Sequence, residues 1–325
     1  MSSTSSIGFS RLGPLFGAFS LLLGGCASIT PPALESVPEL TAVPFFPQTE
    51  YDCGPAALAT ILNASEVAVT PAELIDMVYI EGLQGSLQAE LMAATRRFGL
   101  LPVPVAPDPA GLLEEIASGR PVLVLQNLAF ERAPVWHYAV VVGYDAERDR
   151  VILRSGEQQR RLERTNRFLR SWRLAGNWGF VAVAPGEIPA STAPDTFLRA
   201  VVGAQPMLGE SNTAASYTAA LVHWPDDPLV LFFAASRKQA SGEFASAAAL
   251  YRRVLAAQPD HAAARNNLAN VLFDLGCRTD ALYQARLALS QQSTDDDFYA
   301  AITDTLRRIE TSPPLAPEPA SCAAG

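Results

Sequence analysis

A period of 34 residues constrains the last third of this chain more than any other feature does. Tyr217, Leu221 and Pro225 recur as Tyr251, Leu255 and Pro259, and the leucine register continues to Leu289. Gly242, Ala247 and Leu255 recur in the same way as Gly276, Ala281 and Leu289. A unit of this length, with a turn glycine, a small residue after it and a closing proline, reads as helix–turn–helix. Such a unit cannot bury its apolar face alone and needs stacked neighbours. The units fall at residues 194–227, 228–261 and 262–295, with residues 296–310 as a polar capping helix. The first unit is degenerate, because it lacks the small residue found at Ala247.

This is the tetratricopeptide pattern, and three units are about the minimum for a stable stack. The concave face of such a stack typically holds an extended peptide or a partner helix. His223 and His261 fall at turns between units and read as surface residues. The Pro/Ala-rich end, residues 311–325, reads as disordered. Residues 188–193 read as the linker into the repeats.

Ahead of the repeats, one cysteine stands at the threshold of a helix, in Gln48-Thr49-Glu50-Tyr51-Asp52-Cys53-Gly54-Pro55-Ala56-Ala57-Leu58. Pro55 suits a first helical turn, where the N–H it lacks would have no partner. Residues 56–62 continue as helix. A thiol at that end faces unsatisfied N–H groups and the positive end of the helix dipole, which favour thiolate. Gln48 is close enough in sequence to donate to an oxyanion formed beside the sulfur.

The partner for such a thiol lies in Trp136-His137-Tyr138-Ala139-Val140-Val141-Val142-Gly143-Tyr144-Asp145. The run is β-branched and apolar and ends in a charged turn, so it reads as a strand with His137 at its beginning. His137 is the only histidine before residue 223. A cysteine nucleophile needs a base, and imidazole has the unperturbed pKa for that work near neutrality.

Together the two segments resemble the C39-like cysteine peptidases, papain-like enzymes related to the bacteriocin-leader peptidases. The resemblance covers residues 44–187. It implies a papain-like α+β domain in which Cys53 is the nucleophile, His137 the general base and acid, and Gln48 the oxyanion donor. It also implies a carboxylate, often Asp-Pro, on the strand after the histidine strand. That place is taken here by Ser155-Gly156. Asp145 lies eight residues along the strand from His137, roughly 26 Å at about 3.3 Å per residue, and reads as a turn residue. Folding the hairpin about residues 145–150 brings Ser155, Glu157 or Gln158 opposite the histidine as its orienter. A neutral orienter holds a tautomer but stabilises imidazolium less than a carboxylate does.

Helical signals at residues 71–78, 87–98 and 109–118 mix with strand signals at 101–105, 121–128 and 178–184, which indicates an α+β fold. Residues 82–86 read as a loop lining the cleft. The expected architecture is therefore an α+β papain-like, C39-like domain followed by an all-α repeat domain.

Residues 1–25 read as a lipoprotein export signal. Arg11 precedes an apolar stretch too short to span a bilayer, and Leu23-Gly24-Gly25-Cys26 matches a lipobox with acylation at Cys26. Ala27 follows, the outer-membrane sorting pattern of Gram-negative envelopes, and residues 26–43 read as a Pro-rich tether. The expected place is the bacterial cell envelope, on the outer membrane facing the periplasm. The formal net charge of −9 argues against a nucleic-acid partner. Cys277 and Cys322 do not amount to a disulfide framework. No cluster has metal-ligand spacing and no loop cradles a phosphate, so neither metal nor cofactor is implied.

These readings converge on a lipid-anchored cysteine peptidase whose repeats recruit a polypeptide substrate or an envelope partner. A catalytically weak or inactive binding and scaffold lipoprotein is the alternative, and amidase or acyl-transfer chemistry with the same dyad is another.

Overall fold

The computed structural model describes residues 34–47, 52–293, 295–313, 318, 319 and 322. The signal segment, Cys26 and Gln48 lie outside the described residues. Helix α1 (Cys53–Ala64) and helix α2 (Pro71–Val78) open the α+β domain, followed by a short hairpin of β1 (Tyr79–Ile80) and β2 (Gly85–Ser86). Then come α3 (Gln88–Arg97), β3 (Leu101–Pro104), α4 (Pro109–Ala117) and β4 (Val122–Asn127). The domain closes with β5 (Trp136–Asp145), β6 (Arg150–Ser155), β7 (Gln158–Arg164), α5 (Thr165–Arg173) and β8 (Gly179–Val183). Six strands form one antiparallel sheet in the order β3-β8-β4-β5-β6-β7.

Local chemistry sets the starts of these helices. Thr70 and Glu73 form a reciprocal capping box before α2, with Pro71 at the first position. Asp108 accepts from the Gly111 N–H ahead of α4. The core lies between α1 and one sheet face, where Leu58, Ile61 and Leu62 pack with Leu123, Leu125, Tyr138 and Val140. Burying a leucine or isoleucine side chain stabilises by about 1.5–3 kcal/mol, so α1 is fixed firmly beneath the cysteine it carries.

Four expectations need correction. The helix expected over residues 87–98 starts at Gln88, with Leu87 at the N-cap place without a side-chain bond and Ser86 in β2. The returning strand ends at Ser155, and residues 158–164 form a further strand, β7, followed by α5. Residues 36–43 are docked, not free: Val37 pairs with Tyr144, the Leu40 N–H donates to the Val142 carbonyl, and Glu39 pairs with Arg154 and Arg160. Arg154 is buried and also donates to the carbonyls of Leu40 and Val43. Gly143 permits this approach, since a Cβ there would lie 2.9 Å from the Glu39 Cα. Fourth, Cys277 and Cys322 are joined by a disulfide with Cα atoms 5.3 Å apart, and both are buried.

The linker is also held. The Ser191 N–H donates to the buried carboxylate of Glu115, which also pairs with Arg120. Helix α6 (Pro194–His223) is broken at Gly209, where φ is 73°. It packs against β3 and α3, with Gly203 lying over the Arg96 guanidinium. The stack continues with α7 (Pro228–Ala240) and α8 (Phe244–Ala257), then α9 (Ala262–Asp274) and α10 (Arg278–Ser290), and ends at α11 (Tyr299–Thr311). These bounds match the 34-residue units. The two turn glycines are in step as well, with φ of 79° at Gly242 and 83° at Gly276. Ala247 and Ala281 are fully buried where neighbouring helices meet. Thr213 takes the equivalent place in the degenerate unit and bonds its hydroxyl to the Gly209 carbonyl. His223 is exposed, whereas His261 caps α9 and stacks on Phe232. No described helix is long and apolar enough to cross a membrane.

Candidate active site

Cys53 is the first residue of α1, so its sulfur sits at the helix N-terminus as the sequence indicates. Hydrogen bonds from the backbone at Tyr138, Gly54 and Cys53 itself act on the thiol and lower its pKa. Burial raises it by more, and the Asp52 carboxylate adds to the rise, so the thiol lies above its ordinary value. The expectation that the helix terminus makes a thiolate is therefore corrected. The donors are present, but in the half-buried site desolvation of the charged form outweighs them.

Tyr138 follows His137 at the start of β5, so its hydrogen bond to the thiol ties the head of α1 to the histidine strand. The Tyr138 hydroxyl donates to the Ser86 carbonyl at 3.1 Å, fixing the β1–β2 hairpin against the same strand. Ser86 also packs on Gly54, where a Cβ would lie 2.3 Å from the Ser86 Oγ. Ser86 thus borders the head of α1, and Gly54 is small so that it can, while the rest of the expected loop is a short turn leading into β2.

The imidazole of His137 is held through Nε2, which lies 2.8 Å from the Ser155 Oγ. Of the three candidate orienters, the structure selects buried Ser155. Glu157 and Gln158 lie past the end of β6, because the chain turns there into β7. Asp145 is the last residue of β5, at the mouth of the turn, accepting from the Arg148 backbone N–H and guanidinium.

Burial drives the His137 pKa down to about 4, and nearby Arg161 pushes in the same direction. The thiol and the imidazole are therefore both neutral at rest, and Tyr138 rather than His137 packs into the α1 core, since His137 leaves the sheet with Gln126 on the other face. In the tautomer with the proton on Nε2, that nitrogen donates to the Ser155 hydroxyl and Nδ1 is left as an acceptor.

Sequence reasoning missed the support behind the histidine. Gln126 is directly opposite His137 in the β4–β5 register, so both side chains leave the same sheet face. Its amide donates to Ser171 of α5 and to Glu163 of β7, at 2.8 and 3.3 Å. Asn127 braces the loop between β4 and β5 by accepting from the Ala129 and Val135 N–H groups. Phe130 and Val135 of this loop are exposed, as is Trp136 at the start of β5 next to His137 in sequence. No His/Cys/Asp/Glu group among the described residues could hold a metal ion.

Comparisons with known proteins cover both regions of the chain. Residues 40–179, most of the α+β domain, match the model of the Peptidase_C39 like family. Among solved structures, a protein of Bacillus anthracis described as a C39-like peptidase aligns at 17% identity and a TM-score of 0.39, covering 46% of this chain and 98% of that one. The helical region gives two further alignments. The TPR2B domain of yeast Sti1, solved in a complex with pHsp70, is 14% identical with a TM-score of 0.33, covering 36% of this chain and 95% of that one. The Sgt2 TPR domain of Aspergillus fumigatus is 22% identical with a TM-score of 0.32, covering 41% and 93%. No curated protein matches the chain.

Proposed function

We propose that this chain is an exported, lipid-anchored cysteine peptidase whose repeats recruit a polypeptide substrate or partner. The observation that carries the catalytic part is the placement of Cys53 at the head of α1, bonded to the Tyr138 backbone next to a histidine that Ser155 orients. In this reading His137 takes the thiol proton as the sulfur attacks the amide carbonyl. The imidazolium then protonates the departing amine, and water hydrolyses the thioester. Backbone N–H groups at the helix head and the Gln48 amide would stabilise the oxyanion.

The Cys277–Cys322 disulfide supports export, because such bonds persist in oxidising compartments. Acylation at Cys26 rests on the lipobox, and mass spectrometry of the native N-terminal peptide tests it. An unmodified N-terminus beginning elsewhere would remove the anchor.

One observation favours a second reading, a weakly active or inactive binding lipoprotein of the envelope. The imidazole has a hydroxyl where the resemblance implies a carboxylate, and Arg161 opposes its protonation. Replacing Gln48 by Ala separates the two. A peptidase loses roughly 10²–10³ in kcat with KM held, whereas a binding protein shows no turnover to lose.

A further inference from the structure

We propose that the arginine face of β7 and α5 docks on an anionic lipid surface, the bilayer to which the chain is tethered. Residues 148–173 contain nine arginines and three acids, inside a chain of formal net charge −9. Arg164, Arg167, Arg170 and Arg173 fall three apart, at the end of β7 and along α5, and all are exposed. Phe168, Ser171 and Trp172 turn inward, so this short helix presents its guanidinium groups to solvent.

Several cations of this face are not neutralised by a neighbouring carboxylate. Arg161, Arg164, Arg170 and Arg173 have no ion-pair partner among the described residues. Arg167 pairs with Glu163, while in the helical stack Arg253, Arg286 and Arg307 pair with Asp226, Glu310 and Asp304. Leu162 stands exposed among them. Three adjoining shallow cavities follow the face, of about 300, 280 and 250 Å³, and each is lined by at least two of these arginines. Open hollows of that size between guanidinium groups suit phosphate head groups, which arginine binds through paired N–H donors.

The tether gives the surface its occupant. Ser36 accepts from the Ala146 N–H at the turn that leads into Arg148 and Arg150, and Arg150 pairs in register with Arg164. The chain therefore enters the domain at one end of the arginine face. Ser36 is only ten residue steps from Cys26, a reach of at most about 36 Å. This step rests on the anchored reading of Cys26. An acidic protein held that close to an anionic bilayer is repelled by most of its surface and attracted through this face. Docking there sets the orientation of the domain, with β7 and α5 toward the lipid.

The test uses full-length protein carrying Cys26→Ser, so that no acyl chain contributes, and sedimentation with vesicles of phosphatidylglycerol and phosphatidylethanolamine. Binding is expected at low salt, falling as salt rises, with none to phosphatidylcholine vesicles. Reversing Arg164, Arg170 and Arg173 to Glu should weaken binding roughly 100-fold or more, about fivefold for each arginine lost. Reversing the paired Arg253 and Arg286 should leave it unchanged, with circular dichroism confirming that both variants fold. Equal binding by the two variants, or no binding to anionic vesicles, would overturn the proposal. Capture of polyglutamate without vesicle binding would also overturn it and assign the face to an acidic polypeptide. Because the assay omits the acyl chain, a failure of acylation at Cys26 would show in mass spectrometry and not here.

Discussion

The Nε2 of His137 and the Oγ of Ser155 lie 2.8 Å apart, so a buried hydroxyl holds the imidazole of the candidate dyad. If Ser155 positions the histidine, Ser155→Ala should lower kcat about 3- to 10-fold with KM held, the loss expected from one neutral hydrogen bond. Ser155→Asp should raise the pKa of His137, because a carboxylate beside the ring stabilises imidazolium. The chain has three histidines, so proton NMR titration can follow each ring. An unmoved His137 in the Asp variant would show that Ser155 does not set its protonation.

The thiol should behave as its burial dictates. Alkylation of Cys53 should be slow at pH 7 and climb steadily above pH 9, because its pKa lies above the ordinary thiol value. Cys277 and Cys322 should not react until a reductant opens their disulfide. Rapid labelling of Cys53 at neutral pH would mean that the helix terminus and Tyr138 outweigh desolvation.

The histidine should also weaken the fold in mild acid. Its pKa is about 4 when folded, against about 6.5 for an exposed imidazole. As pH falls below 6.5 the unfolded chain takes up a proton that the folded chain refuses, so stability declines until the folded pKa is reached. By pH 5 the loss is on the order of 2 kcal/mol. Urea midpoints at pH 7 and pH 5 should differ less for His137→Gln than for the wild type. Equal differences would place the ring in a more solvated site.

What the sequence disclosed follows from how much physics each segment carries locally. Pro55, the apolar turn after it and the β-branched run after His137 encode α1 and β5 within a few residues, so both were readable. The 34-residue period set the unit boundaries because each unit must fit its neighbour. Strand β7, Gln158-Gln159-Arg160-Arg161-Leu162-Glu163-Arg164, was not readable. It is an edge strand with little apolar alternation, and its pairing with β6 supplies what its sequence does not. Docking of residues 36–43 depends on Glu39 meeting Arg154 and Arg160, more than 110 positions away. The thiol's protonation also depends on tertiary burial, which a local motif does not report.

The held linker changes how the role of the repeats is tested. A cut after Pro189 would strip the first part of α6 from β3 and α3, exposing Phe197, Leu198 and Val201, which are fully buried. Truncation after Gly209, at the break in α6, keeps that cover. Such a protein should hydrolyse a short peptide at nearly the wild-type rate. KM for a full-length natural substrate should rise, because capture at a second site raises effective concentration at the first. Equal effects on both substrates in a folded protein would mean that the repeats shape the catalytic site itself.

The central claim is that Cys53 is the nucleophile, and trapping of the acyl-enzyme tests it most directly. The full chain would be mixed with an activated peptide ester, quenched in acid, digested and mapped by mass spectrometry. The account predicts an acyl group on the Cys53 peptide, absent in Cys53→Ala, which should also lose turnover with a melting temperature within a few degrees of wild type. Acylation at another residue, or hydrolysis by Cys53→Ala with contaminating peptidase excluded, would contradict it.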